Sequence, residues 1–146
     1  MLIGNRKAHF NYEILETFNA GIELLGNEVK SLRAKQGSLE GAYVILRGGE
    51  AFLVKATIPA YQPKNTSKEY DPERPRKLLF TKAEIAKLTG FDAKKGLTIV
   101  PISVYNKGRK IKVEVGVGRG KKKYDKRETL KRRDAERDME RVLKEH

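Results

Sequence analysis

Between Lys110 and Val117 the chain alternates without a break. Ile111, Val113, Val115 and Val117 fall on one side, and Lys110, Lys112, Glu114 and Gly116 on the other. A period of two belongs to a half-buried β-strand and excludes an amphipathic helix, in which these apolar groups would scatter around the axis. The preceding apolar run, Leu97–Tyr105, joins this strand through Asn106-Lys107-Gly108, whose glycine supplies the positive φ of a tight connection. A second hairpin is expected from Ala42–Arg47 and Glu50–Ile58 around Gly48-Gly49, ended by Pro59, which has no amide hydrogen to give a ladder. Tyr12–Phe18 and Ile22–Leu25 flank Asn19-Ala20-Gly21 in the same manner, which brings the expected count to six antiparallel strands.

Two helices interrupt them. Thr81-Lys82-Ala83-Glu84 fits a capping box, Ile85 and Leu88 give an apolar face, and Gly90 suits the position just past the end. The other is expected from Glu28 to about Lys35, capped by Asn27, with Val29 and Leu32 forming a narrow stripe that can plug a small barrel. The fold class is therefore mainly β: a six-stranded antiparallel OB-like barrel with two or three short helices. Tyr61–Lys77, rich in proline, charge and small polar groups, reads as a long surface loop.

After Val117 the only strong hydrophobes are Tyr124, Leu130, Met139, Val142 and Leu143, so a boundary is expected near Gly120, with a barrel over 1–120 and a basic tail over 121–146. In the tail Ala135, Met139 and Val142 align at helical spacing. They offer too little apolar surface to offset chain entropy, so the tail is expected to be disordered when free and helical when bound.

Lysine and arginine number 32 against 19 acidic residues, a net charge of +13, which points to a polyanionic partner. The absence of cysteine excludes disulfides, thiolate metal sites and zinc fingers. No apolar run approaches the ~20 residues of a membrane span and no signal-peptide segment opens the chain, so a cytoplasmic protein without a membrane partner is expected. His9 and His146 are the only histidines and no serine or threonine has an evident base partner; no catalytic residue, metal or cofactor is expected. Gly116-Val117-Gly118-Arg119-Gly120-Lys121 looks like a phosphate cradle but lacks P-loop spacing. Its glycines are expected to end a strand and loosen the exit to the tail, with backbone contact to phosphate left open. Basic residues cluster at Arg74-Pro75-Arg76-Lys77 with Lys82, and over Lys107–Lys123, where Glu114 is the single acid. Tyr61, Tyr70, Phe80, Tyr105 and Tyr124 flank these clusters, the mixture of cations and stacking groups that RNA binding uses.

Five blocks in order carry a family resemblance: NRKA at 5–8, YEILETFNAGIELLGNEVKSLR at 12–33, DPERPRKLL at 71–79, GLTIVPISVY at 96–105 and GRGKKKYDKRE at 118–128. The chain resembles the small protein B family, the SsrA-binding proteins that partner transfer-messenger RNA in bacterial trans-translation. The resemblance implies a barrel that binds the tRNA-like domain of that RNA and delivers it to the decoding site of a stalled ribosome, catalysing no covalent step. By the same resemblance the RNA-binding residues are Glu28, Lys30, Ser31 and Arg33, then Arg76, Lys77, Leu79 and Thr81, then Lys121, Lys122 and Lys123. Those directed at the ribosomal decoding centre and messenger channel are His9, Phe10, Tyr124, Asp125, Lys126, Arg127, Lys131, Arg132 and Arg133. The partners implied are transfer-messenger RNA and the small subunit of the stalled ribosome, with a monomer expected when free. Glu28 can accept hydrogen bonds from base edges or 2′-hydroxyls, or act on the helix dipole, and both roles stay open. Asp125 can cap a tail helix. Two rival readings are an OB-fold binder of ribosomal RNA and a magnesium-dependent nuclease, the latter without an evident carboxylate pair.

Overall fold

The computed structural model describes residues 1–62 and 69–121, together with Arg127, Leu130 and Arg137, three separate helical positions farther on. The elements in order are β1 (Ile3–Gly4), α1 (Arg6–Asn11), β2 (Tyr12–Ile22), α2 (Gly26–Arg33), β3 (Tyr43–Arg47), β4 (Glu50–Val54), β5 (Arg76–Leu79), α3 (Lys82–Asp92), β6 (Leu97–Lys107) and β7 (Lys110–Gly120). The strands form one sheet in the order β1-β6-β7-β2-β5-β4-β3, and every pairing is antiparallel. The sheet curls until β3 packs against β6. The core inside this shell includes Val113, Val115 and Val117 from β7, with Ala20, Leu53, Leu78 and Ile99.

The mainly-β antiparallel architecture is the expected one, with seven strands rather than six and, over residues 1–121 as described, three short helices. The alternation at Lys110–Val117 holds residue by residue, since Ile111, Val113, Val115 and Val117 are all buried. Gly48 and Gly49 make the β3–β4 turn with φ of 60° and 76°, a conformation that side-chain-bearing residues rarely adopt. The hairpin expected at Asn19-Ala20-Gly21 does not form. These residues continue β2, pairing with Glu114, Val113 and Lys112 of β7. Gly21 instead lets the Leu79 side chain lie close: a Cβ there would stand 3.4 Å from the Leu79 Cβ. The second strand of the Gly48-Gly49 hairpin ends at Val54, short of Ile58, and Lys55 follows with φ of 66°.

The segment expected as a surface loop over Tyr61–Lys77 re-enters the sheet at Arg76, the first residue of β5, whose side chain is fully buried. α2 begins two residues before the expected start, with Leu25 rather than Asn27 at the N-cap position. α3 has the expected capping box: Thr81 Oγ1 accepts from the Glu84 amide at 3.2 Å and the Thr81 amide donates to Glu84 Oε1 at 2.9 Å. It runs through Gly90 to Asp92.

Gly116 and Gly118 lie inside β7, flanked by β2 and β6 on either side. They do not loosen an exit; they make room. A Cβ on Gly118 would stand 2.7 Å from the Tyr12 Cβ, and one on Gly116 would stand 2.8 Å from Ile102 Cδ1. Laddered on both edges, the backbone at these two glycines is not open to phosphate.

β2 and β7 run the length of the sheet and define two ends. One holds α1, the start of β2 and the exit of β7, where the Lys121 amide donates to the Asn11 carbonyl at 2.8 Å. The Asn5 side chain fixes this end by donating to the carbonyls of Leu39 (3.3 Å) and Pro101 (2.9 Å). At the other end lie α2, β5 and the β6–β7 turn, tied by the Arg33 guanidinium donating to the Arg109 carbonyl at 2.9 Å.

Candidate nucleic-acid interface

The carboxylate of Glu28 has no exposed surface, although it sits in the first turn of a helix expected to face RNA. Its Oε1 accepts from the Leu25 amide at 2.8 Å and from Arg74 Nη2. Its Oε2 accepts from Arg76 Nε at 2.8 Å and Arg74 Nε at 3.0 Å, with the Tyr70 hydroxyl 3.1 Å away. Burial by itself pushes the carboxyl pKa up. Hydrogen bonds from Arg74, the Leu25 amide and Arg76, with the Arg76 charge, more than reverse this and hold it below the ordinary carboxylate value.

Arg76 is equally enclosed. Besides Glu28, it donates through Nη1 to the Ala56 carbonyl at 2.9 Å, and through Nη2 to the Pro72 carbonyl at 2.9 Å and the Tyr70 hydroxyl at 3.2 Å. The single proton of Tyr70 lies between the Ile58 carbonyl, at 2.7 Å, and Glu28. Burial first, then the neighbouring Glu28 charge, raises the tyrosine pKa. Ser31, also buried, donates to the Pro59 carbonyl at 2.6 Å. These bonds fasten α2 to β5 and to both flanks of the connection between β4 and β5. Among the described residues no buried side-chain polar atom is left without a partner.

The residues expected to contact RNA thus divide. Glu28, Ser31 and Arg76 lie beneath the surface, each hydrogen-bonded to protein partners. Lys30 and Arg33 are exposed on α2, and Leu79 is 49% exposed at the end of β5. Lys77 is half-buried with Nζ 3.1 Å from Glu50 Oε1. Thr81 is exposed but already engaged as the cap of α3.

Lys121 is not brought to this group. The hydrogen bond from its backbone N–H to the Asn11 carbonyl puts it at the opposite end, beside exposed His9 and half-buried Phe10 of α1. Arg127 is exposed. Lys122, Lys123, Tyr124, Asp125, Lys126, Lys131, Arg132 and Arg133 lie outside the described residues. Among the described residues no three histidine, aspartate or glutamate side chains converge to hold a metal ion, and no helix is long and apolar enough to cross a membrane.

Sequence reasoning missed Tyr70 and Arg74 as members of the site. Tyr70 was visible only as an aromatic beside a basic cluster, and Arg74 only as one of its charges. The available signal was a burial mismatch: two arginines flanking a proline and leading into an apolar strand need a carboxylate, and Glu28 opens the one helix close enough to supply it.

Comparison with known proteins gives a consistent result. The family model described as "SmpB protein" matches residues 2–145. An SsrA-binding protein of Microcystis aeruginosa is 51% identical over 144 residues, covering 99% of this chain and 94% of the relative. Another, of Chloroflexus aggregans, is 51% identical over 140 residues, covering 96% and 89%. A solved structure described as "tmRNA-SmpB: a journey to the center of the bacterial ribosome" contains a chain that is 44% identical. It superposes with a TM-score of 0.70, covering 83% of this chain and 85% of that one.

Proposed function

The chain belongs to the SmpB protein family, and from that premise we propose that it binds the tRNA-like domain of transfer-messenger RNA and delivers it to the decoding site of stalled bacterial ribosomes, for rescue and peptide tagging. The observation that carries this reading is the family match over residues 2–145. The rival reading, an OB-fold binder of ribosomal RNA, would account for the charge but not for that match.

In this reading the α2 end meets the delivered RNA. Lys30, Arg33 and Lys77 supply cations, Leu79 an apolar contact and Thr81 a flanking hydroxyl, while Glu28, Ser31 and Arg76 hold the backbone that presents them. The α1 end, with His9, Phe10 and Lys121, turns toward the ribosome. Lys122 and Lys123 are assigned to transfer-messenger RNA, and Tyr124, Asp125, Lys126, Arg127, Lys131, Arg132 and Arg133 to the decoding centre and messenger channel. The division falls at residue 120, supported by the end of β7 at Gly120. The protein works in the cytoplasm, where its ribosomal partner is, and performs no covalent step.

The test is the identity of the RNA that copurifies with the protein from bacterial cells. Transfer-messenger RNA is expected as the dominant species. Ribosomal RNA alone, with no enrichment of transfer-messenger RNA, would sink the reading and favour a ribosomal OB-fold protein.

A further inference from the structure

Three exposed cations crowd the β6–β7 turn. Lys107 and Lys110 are directly paired across the last rung of the ladder, with Gly108-Arg109 between them. Like charges directly opposed on neighbouring strands destabilise a sheet, and a partner of opposite sign offsets that cost. Elsewhere the protein supplies one from within: Lys7 pairs with Glu40, Lys77 with Glu50 and Lys87 with Glu16. At the turn, among the described residues, no carboxylate does so. The one acid of β7, Glu114, is held in mid-ladder opposite Asn19 and Ser103.

A fourth cation is bound in place beside these three. Arg33, in the last turn of α2, donates to the Arg109 carbonyl, so helix and turn are fastened by a bond that leaves both guanidinium charges uncompensated. Gly108 takes φ of 62°, and beyond the bulge at Pro101–Ser103 the ladder is unbroken from Ser103 and Glu114 out to Lys107 and Lys110. The turn is therefore the stiff tip of two 11-residue strands, and its charges are positioned before any partner arrives.

We propose that this tip is a phosphate-contacting arm of the RNA face, in which Lys107, Arg109 and Lys110 grip the sugar–phosphate backbone of the same RNA that α2 meets. The proposal rests on the functional reading above and extends it to residues outside the set carried over from the family. A duplex or folded RNA presents closely spaced phosphates, and each one neutralised releases condensed counterions, so the contact is legible in the salt dependence of binding.

The experiment compares the wild type with Lys107→Gln/Arg109→Gln/Lys110→Gln, measuring affinity for the tRNA-like domain of transfer-messenger RNA from low to high salt. The Arg109 carbonyl survives the substitution, and circular dichroism checks the fold. A single Lys110→Gln variant repeats the measurement with minimal disturbance. The plot of log affinity against log salt should become shallower by about 2 to 3 in the triple variant and by about 0.7 to 0.9 in the single one. Neutralising Lys94 and Lys95 just beyond α3 should leave the slope unchanged. An unaltered slope in both tip variants overturns the proposal, as does an equal loss in the Lys94/Lys95 control, which would mark a general charge effect. A wild type that fails to bind this RNA defeats the functional reading itself, before the tip is tested.

Discussion

Nε of Arg76 lies 2.8 Å from Oε2 of Glu28, 48 residues distant in the chain, and neither side chain has any exposed surface. A single buried pair thus joins the helix that carries Lys30 and Arg33 to the strand that carries Lys77 and Leu79. The two halves of the proposed RNA face are held by this pair together with the second ion pair that Glu28 makes, to Arg74, and the hydrogen bonds around them.

Replacing Glu28 by glutamine should destabilise the fold by ~3–5 kcal/mol, because Arg76 then keeps a buried charge without a counter-charge. That is well above the ~0.3–1 kcal/mol expected of an exposed carboxylate acting only on a helix dipole. Chemical denaturation measures the loss. Tyr70→Phe, which leaves the Ile58 carbonyl without its hydroxyl donor, should cost ~1–3 kcal/mol. A Glu28→Gln variant as stable as wild type would contradict the buried network.

Acid should weaken the protein through the same carboxylate. Its folded pKa lies below the ordinary value, so the stability it supplies is fully present above the unfolded glutamate pKa of about 4.3. That contribution is lost as pH falls from there through the folded pKa, because the unfolded chain binds the proton first. In denaturation midpoints measured below about pH 5, wild type should fall more steeply than Glu28→Gln. Parallel curves would show that Glu28 does not contribute to the acid limb. At the alkaline end the raised Tyr70 pKa has the opposite sense: its contribution is present below the ordinary tyrosine value and fades as pH rises through the folded one.

Gly118→Ala should cost ~1–3 kcal/mol by overpacking, since the new methyl group would press on the Tyr12 Cβ rather than on the far end of a flexible side chain. Gly120→Ala, two residues on, meets no atom within 4 Å and needs no positive φ. It should be neutral or stabilising by up to about 1 kcal/mol. Thermal unfolding of the two variants side by side decides the matter, and equal effects would refute the close-approach argument.

Truncation after Lys123 should leave a barrel that folds and still holds the tRNA-like domain, while tagging on stalled ribosomes fails. The removed residues add no member to the described core, whereas they include Tyr124 and the cations assigned to the decoding centre and messenger channel. RNA affinity and tagging are to be measured in the same variant. Survival of both reduces the tail to a solubility extension, and loss of both shows that barrel and tail do not separate at residue 120.

Local signals were legible and non-local ones were not. The Gly48-Gly49 turn, the Thr81 capping box and the alternation before Val117 each involve groups within a few residues of one another, and each formed. Asn19-Ala20-Gly21 carries the composition of a turn, but the full-length partner strand β7 pairs straight through it and Ala20 is completely buried. Arg76 was read as surface because an arginine is buried only beside a counter-charge, and its counter-charge is remote in sequence. That Lys121 lies at the opposite end from α2 was likewise not legible in its basic run, because its place is set by the length of β7 and its pairing with β2.

Because β2 runs as one continuous strand from the end of α1 toward α2, interrupted only by a one-residue bulge between Ile14 and Glu16, the distance between the two faces is a covalent quantity. Its 11 residues set a span of roughly 35 Å at the rise of a strand. Length in such a gauge changes only in whole residues. Lengthening by one would turn every later side chain to the opposite face unless a second bulge like that at Leu15 took it up, and lengthening by two would keep the faces but move the ends apart by about 7 Å. A protein built in this way is calibrated: it can bridge only a gap that its sheet already fits.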